Sequence, residues 1–147
     1  MTRINISIPV KNLTDEHLLS EHREIKRICY NYKIRKNKNK FDDIPKNFKL
    51  GRGHVLFFIN KPDLTYLRYQ RLYNECKNRG FKVQDFSNNW EIYNGFLNKI
   101  DYVITPEDQK LIIQRITEKL ESHNKNRSWH YYGKPISSKV AIELLNT

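Results

Sequence analysis

Residues 14–36 read TDEHLLSEHREIKRICYNYKIRK, and the rest of the predicted fold is arranged around them. Thr14 is a preferred helix N-cap residue, and two acids follow it in the first turn, where the helix dipole favours negative charge. At about 100° per residue, the following residues form one apolar stripe: Leu18, His22, Ile25, Cys29 and Tyr32. The pattern predicts a single helix over residues 15–36 that packs this face against a core.

A second stripe lies at the edge of that face and carries polar chemistry. It contains His17, Glu24, Arg27 and Asn31, with Arg23 farther round the helix. At such a margin the carboxylate of Glu24 is partly desolvated, yet it can still reach a ligand. An ordinary i, i+3 ion pair between Glu24 and Arg27 is the competing interpretation.

Two further helices are bracketed by local signals. Proline is preferred in the first turn of a helix and glycine just after its end, so Pro62 and Gly80 delimit the second helix. Thr105 and Pro106 begin the third helix as its N-cap and first residue. Both helices have apolar residues at helical spacing, which indicates that each covers the core with one face.

The remaining segments are predicted to be arms, loops and a short tail. Residues 6–13 form an arm in which Pro9 limits any strand to a short or edge one. Residues 82–104 are predicted to be a long ordered loop. The sequence therefore predicts a mostly α, compact single domain over residues 1–147, with three main helices. A C-terminal extension at 136–147 ends in a short helix.

The charge of the chain indicates a polyanionic partner. Its 147 residues carry a formal net charge of +11, and nucleic acid is the usual partner of so basic a small domain. Arg115 and Lys119 lie four apart on the third helix and share a side that can contact successive phosphates. A protein merely kept soluble by surface lysines is the competing interpretation. No apolar run approaches the roughly 20 residues of a membrane span, so no membrane association is expected.

The two cysteines predict neither a disulfide nor a metal site. Cys29 and Cys76 both fall on apolar helix faces, which indicates buried free thiols. Neither has the closely spaced cysteine or histidine partners that zinc sites require. We therefore expect no metal.

The first five residues, MTRIN, carry a reactive group that no other position has. A small second residue such as Thr2 permits removal of Met1, which leaves a free α-amine. Its pKa is about 7.7–8.0, against about 10.4 for lysine, so roughly a tenth is neutral at pH 7. A neutral amine can attack an electrophilic carbon and form a Schiff base. An ordinary chain start is the competing interpretation.

Aromatic residues cluster beside basic residues near position 130, where residues 129–135 read WHYYGKP. Such a cluster, led by Trp129, suits the stacking of bases in a nucleic-acid groove. It suits equally well a tail that packs on the core. The residues themselves leave both interpretations open.

Taken together, these segments resemble the pyrimidine-dimer DNA glycosylase/AP lyase family of the phage endonuclease V type. The matching motifs lie in order over nearly the whole chain: MTRIN at 1–5, His17-Leu18, Glu21, Arg23-Glu24, Arg27, LGxGHVxFF at 50–58, ECxxRGF at 75–81, Trp129 and YYGK at 131–134. The set is far more specific than any of its pieces.

The resemblance implies a fold and a partner. Members are compact and mostly helical, and their N-terminal arm runs between helices so that the terminal amine reaches the DNA. They need no metal or organic cofactor, and their partner is double-stranded damaged DNA. We expect a monomer in the cytoplasm, which for a viral protein is the cytoplasm of the host cell.

The resemblance also implies a reaction and its residues. The α-amine of Thr2 attacks C1′ of the damaged nucleotide and forms a Schiff base, and β-elimination then cuts the strand with the help of the Glu24 carboxylate. The residues implied to bind DNA are Arg3, His17, Arg23, Arg27, Arg115, Lys119 and Trp129.

Two departures from the family pattern affect the expected lesion. Some relatives have proline where Lys26 stands and tyrosine where His22 stands, which bears on the bend of the first helix and on one side of the damage pocket. Cyclobutane pyrimidine dimers are the expected substrate. A glycosylase or AP lyase for another damaged base, or a non-catalytic basic DNA-binding protein, are the alternatives.

Overall fold

The computed structural model describes residues 3–122 and 128–147, and within them the chain is mostly helical, as predicted. The helices are α1 (Asp15–Glu24), α2 (Arg27–Lys38), α3 (His54–Phe58), α4 (Pro62–Asn78), α5 (Pro106–Glu121) and α6 (Ser138–Leu145). Two short strands, β1 (Trp129–Tyr131) and β2 (Lys134–Ile136), and two 3₁₀ helices, Val10–Asn12 and Ser87–Tyr93, complete the fold. In these ranges no helix combines the length and the apolar composition that crossing a bilayer requires.

The prediction of one helix over residues 15–36 is wrong, because the chain bends between α1 and α2. Ile25 and Lys26 keep right-handed helical dihedrals, but the turn tightens there. The Ile28 amide donates to the Ile25 carbonyl at 3.2 Å, and the Cys29 amide to the Lys26 carbonyl at 3.0 Å, both with 3₁₀ spacing. The bend keeps Ile25 and Ile28 fully buried on both sides of it.

The second predicted helix is confirmed at both ends, and the third at its start. α4 begins at Pro62, and Gly80 follows it with φ +84°. The Phe81 amide donates to the Cys76 carbonyl at 2.9 Å, which is the long bond of a Schellman motif. α5 begins with a reciprocal capping box between Thr105 and Asp108.

α3, the two 3₁₀ helices and the two strands were not predicted. α3 forms in the apolar run 54–58, and a 3₁₀ helix forms within the predicted loop 82–104. β1 and β2 pair as an antiparallel hairpin in which Trp129 faces Ile136. Its turn residues, Tyr132 and Gly133, both have positive φ, which matches the right-handed twist of a hairpin.

The N-terminal arm runs between helices, as expected. Ile4 and Ile8 are buried in the core, and no strand forms among residues 3–13. The Ile8 carbonyl accepts from Arg68 of α4 at 2.6 Å, and the same guanidinium holds Glu21 of α1 through two bonds of 2.7 and 3.0 Å. This buried ion pair fixes the arm against two helices.

One hydrophobic core extends from Ile4 in the arm to Leu145 in α6. Cys29 and Cys76 lie in it as free thiols, as predicted. Burial raises the pKa of the Cys29 thiol to about 12 and that of Cys76 to about 11.

Candidate functional site

A cleft of about 300 Å³ opens between α1, the arm, α5 and the start of the hairpin. The residues on one face of α1 line one side, because they recur at helical spacing. The described residues that line it are Arg3, Asn5, Glu16, His17, Ser20, Glu21, Glu24, Ile116, Lys119 and Trp129. The cleft therefore gathers residues that lie more than a hundred positions apart in the chain, including five that the sequence singled out: Arg3, His17, Glu24, Lys119 and Trp129.

Three carboxylates line this cleft, but two of them are occupied. Glu21 is held by Arg68, and both side chains are almost fully buried. Glu16 accepts from Nδ1 of His130 at 2.8 Å and from its amide at 3.2 Å. Among the residues that the structure describes, Glu24 has no hydrogen-bond or ion-pair partner, so the competing ion pair with Arg27 does not form. Glu24 is thus the carboxylate available for chemistry.

His17 and Trp129 form an aromatic wall of the cleft. Their rings stack with centroids 5.2 Å apart and an interplanar angle of 13°. The His17 amide donates to the Thr14 hydroxyl at 3.2 Å, which is the predicted N-cap bond of α1. Trp129 is 2% exposed and belongs to the core. Trp129 therefore packs on the core, as one of the two interpretations of the aromatic tail predicted, and it also lines the cleft.

His54 anchors the arm at Ile4, between the cleft-lining residues Arg3 and Asn5. Its Nδ1 lies 2.9 Å from the Lys49 carbonyl, and its Nε2 lies 2.9 Å from the Ile4 amide. Because Nε2 must accept from that amide, the ring is the neutral tautomer with its proton on Nδ1. Burial lowers the pKa of His54 to about 4. Gly53 precedes it with φ +93°, a conformation that side chains rarely adopt.

Sequence reasoning gave His54 no role, although the residue lies within the 50–58 motif that carries the family resemblance. The signal available was a histidine at the head of an apolar run. No local rule, however, predicts that such a ring will bind a backbone amide fifty residues away.

Arg115 and Lys119 lie on the same side of α5 but face different surroundings. Arg115 donates to the Asn5 side chain at 3.2 Å and approaches the Ile4 carbonyl at 3.5 Å. Burial, reinforced by the neighbouring Arg3 cation, lowers the pKa of Arg115 to about 10. Lys119 is exposed and lines the cleft. Arg115 thus holds the arm, whereas Lys119 can meet a ligand directly.

The other sequence-predicted residues lie beside the cleft or outside the described residues. Arg23 and Arg27 are exposed and do not line it. Thr2, the predicted nucleophile, lies with Met1 outside the described residues. The first described residue, Arg3, lines the cleft.

A buried charge cluster holds the hairpin that carries Trp129. The Arg79 guanidinium pairs with Asp15 and with Glu75, both at 2.8 Å. Asp15 also accepts from the amides of Tyr132 and Gly133, at 3.1 and 2.8 Å. The Arg79 guanidinium also lies 4.7 Å from the centre of the Tyr132 ring. Sequence reasoning missed this cluster, whose members come from α1, α4 and the hairpin.

The two departures from the family pattern contact the same ring. His22 is buried and stacks on Phe86 at 5.0 Å, and burial lowers its pKa. The Lys26 ammonium lies 3.8 Å from the centre of the Phe86 ring. Neither residue lines the cleft.

Within residues 3–122 and 128–147, no group of three or more histidine, cysteine or acidic side chains is placed to hold a metal ion. The chemistry that the cleft offers is that of a free carboxylate, cations and a stacking surface.

Comparison with known families gives a match to this region. The sequence model of the pyrimidine dimer DNA glycosylases matches residues 1–89. The matched range contains the arm, α1 to α4 and Glu24. Lys119 and Trp129, which complete the cleft, lie beyond it.

Proposed function

The chain belongs to the pyrimidine dimer DNA glycosylase family, and from this premise we propose that it excises one base of a cyclobutane pyrimidine dimer and then cuts the strand as an AP lyase. It acts as a monomer on double-stranded DNA. The observation that carries the proposal is the cleft in which Glu24 is the carboxylate without a partner among the described residues.

The proposed nucleophile is the α-amine of Thr2 after removal of Met1. The arm behind it is held at Ile4 by His54 and at Ile8 by Arg68. Arg3 lines the cleft, and consecutive Cα atoms are only about 3.8 Å apart. These contacts support a nucleophile attached to the wall of the cleft rather than to a loose chain end.

The proposed reaction begins with attack of the neutral amine on C1′ of the damaged nucleotide. The glycosidic bond breaks, the base leaves with the bonding electrons and takes up a proton, and the sugar ring opens to give a protonated Schiff base. Removal of a proton from C2′ then expels the 3′-phosphate, which breaks the C3′–O bond and cuts the strand. Water releases the sugar from the amine.

Glu24 has two roles in this scheme. Its ionised carboxylate stabilises the positive charge that develops on the sugar as the glycosidic bond breaks. It then assists the removal of the C2′ proton as a general base. A carboxylate already paired with a cation, such as Glu21, is poorly suited to either role.

The remaining residues bind and distort the DNA. Arg3, Arg23, Arg27 and Lys119 contact phosphates, and His17 and Trp129 offer a stacked surface to an opened nucleotide. Arg115 acts through the arm, which it holds at Asn5. Extruding a nucleotide costs less at a lesion whose stacking is already weakened, which favours damaged over intact DNA.

The proposal is tested by borohydride trapping on a duplex with one defined thymine dimer, compared with an abasic-site duplex. We expect a covalent adduct on both duplexes, and its loss when the α-amine is blocked. Glu24→Gln is expected to lower strand cutting at least about 100-fold, because general base catalysis contributes about 10²–10⁴-fold. Glu143→Gln, at an exposed position on α6, is the matched control and keeps full activity.

Two outcomes would contradict parts of this proposal. Strand cutting that persists with a blocked amine would exclude Thr2 as the nucleophile. A covalent adduct on the abasic duplex alone would support the lyase chemistry, but it would show that the enzyme acts on a lesion other than the thymine dimer.

A further inference from the structure

We propose that a second DNA-binding surface continues from the cleft along α2, and that it binds the duplex flanking the lesion. This surface, here called the 23–34 face, consists of Arg23, Arg27, Tyr30 and Ile34. The inference rests on the proposed function, because it takes the DNA in the cleft as its starting point.

Three of the four side chains share one stripe of α2, because Arg27, Tyr30 and Ile34 are spaced i, i+3 and i+7. Arg23 precedes them near the end of α1, on the other side of the bend. The opposite side of α2 is buried through Ile28, Cys29 and Tyr32.

Tyr30 and Ile34 are unusually exposed for their size. Tyr30 is 66% exposed and Ile34 is 37% exposed, one helical turn apart. A single exposed apolar residue is common on any surface. Here, however, two of them lie beside two arginines that the proposed function places on DNA.

The charge of α2 selects nucleic acid as the occupant of this face. The helix has the sequence RICYNYKIRKNK, which contains no acidic residue. Lys33 and Lys38 are exposed on it. Exposed aromatic rings among cations suit contact with sugars and bases, with the cations on the phosphates.

The length of α2 predicts how much DNA the face covers. Its 12 residues extend about 18 Å at 1.5 Å per residue, and duplex DNA rises about 3.4 Å per base pair. The face therefore covers about five base pairs beyond the site held by Glu24.

The experiment measures Kd for a duplex that carries a stable abasic-site analogue. Tyr30→Ser is expected to weaken binding about tenfold, through loss of the contact of its ring with the sugar-phosphate backbone of the flanking duplex. Tyr30→Phe keeps the ring and retains wild-type affinity. Val140→Ser is the matched control, because Val140 is 41% exposed on α6, which packs against α5. Thermal melts of the three variants are expected to match wild type.

Duplex length then identifies what Tyr30 touches. One duplex extends about 12 base pairs on each side of the analogue, and two others are trimmed on one side to about one base pair. Tyr30 lies six residues beyond Glu24, which is about 9 Å or about three base pairs along a helix axis, so one of these trims removes the DNA that it is predicted to contact. On that trimmed duplex, wild type and Tyr30→Ser are expected to bind equally.

Equal affinity of wild type and Tyr30→Ser for the long duplex would overturn the inference. So would a tenfold difference that survives trimming on either side, because Tyr30 would then not contact flanking DNA. If wild type fails to cut dimer-containing DNA, the proposed function fails. The same comparison of Kd values for wild type and Tyr30→Ser, repeated on an undamaged duplex of the same length, then decides whether the 23–34 face binds DNA.

Discussion

His54 shows how one buried side chain fixes the position of the arm. Its ring must stay neutral, because Nε2 accepts from the Ile4 amide while Nδ1 donates to the Lys49 carbonyl. Protonation removes the acceptor and places a charge in the core, in contact with the rings of Phe48 and Phe58. The Arg115 cation disfavours that charge further. The His54 ring can therefore hold the Ile4 amide only in its neutral form.

This arrangement predicts a pH-dependent stability. The pKa of His54 is lowered from 6.5 to about 4, so the unfolded chain binds the proton more tightly than the folded protein. The contribution of His54 to the free energy of unfolding should therefore be fully present above pH 6.5. It should fall by about 3 kcal/mol as the pH drops to about 4. Urea unfolding at pH 7 and pH 4.5 measures it.

The matched variant is His54→Gln, which lacks a titrating ring. Wild type should lose more unfolding free energy than the variant between the two pH values, since the contributions of all other groups cancel in the comparison. Identical losses in the two proteins would contradict the assignment.

At the scale of elements, the hairpin depends on charges supplied by two helices. The Arg79 guanidinium pairs with the carboxylates of Asp15 and Glu75, and Asp15 in turn accepts a hydrogen bond from the Gly133 amide in the hairpin turn. The Arg79 side chain belongs neither to the hydrophobic core nor to the lining of the cleft. We therefore expect it to affect the site indirectly, by fixing the position of Trp129.

Arg79→Met is therefore expected to lower the free energy of unfolding by about 3–5 kcal/mol, because two buried carboxylates lose their cation. In a Trp90→Phe background the tryptophan emission reports Trp129 alone, since the chain has two tryptophans. We expect its emission to shift to the red as the hairpin loosens.

Arg71→Met, an exposed change on the same helix, is the control and should leave both the stability and the emission unchanged. An unshifted emission maximum in Arg79→Met would show that the hairpin holds Trp129 without the charge cluster.

The predictability of elements follows from how local their signals are. Both ends of α4 and the start of α5 were predicted, because proline, glycine and the Thr105 cap act within a few residues. The interruption between α1 and α2 did not follow from helical periodicity, because Ile25 and Lys26 are acceptable helix residues. Ile25 in the bend and Ile28 just after it are both fully buried.

At the scale of the whole molecule, the charge of +11 predicts a steep salt dependence of DNA binding. If Arg3, Arg23, Arg27 and Lys119 each neutralise one phosphate, log K falls with log salt at a slope of about −3.6. Affinity for undamaged duplex should then fall about 100-fold between 50 and 200 mM salt. Fluorescence anisotropy titrations at several salt concentrations measure the slope.

Lys119→Gln is expected to reduce the magnitude of that slope by about 0.9, because one phosphate contact is lost. Lys139→Gln, an exposed change on α6, is the control and should leave it unchanged. A flat salt dependence in wild type would argue against a phosphate-binding surface altogether.

The sequence by itself determined which chemical groups the protein has. The mostly α composition, the ends of two long helices, the two buried thiols and the basic charge all follow from residue types and their near neighbours. The motifs also sufficed to indicate the family. The separate candidates Arg3, His17, Glu24, Lys119 and Trp129 came from the sequence as well, although nothing in it placed them around one cleft.

Only the tertiary structure decided which carboxylate is available. Glu16, Glu21 and Glu24 are chemically alike and lie on one face of one helix, so helical spacing does not rank them, and only the family resemblance singled out Glu24. Arg68, 47 residues away, occupies Glu21, and His130, 114 residues away, occupies Glu16. Ion pairs and hydrogen bonds form between atoms that folding brings within about 3 Å, whatever their separation in the chain. Within residues 3–122 and 128–147, the carboxylate of the three that is left without such a partner is Glu24.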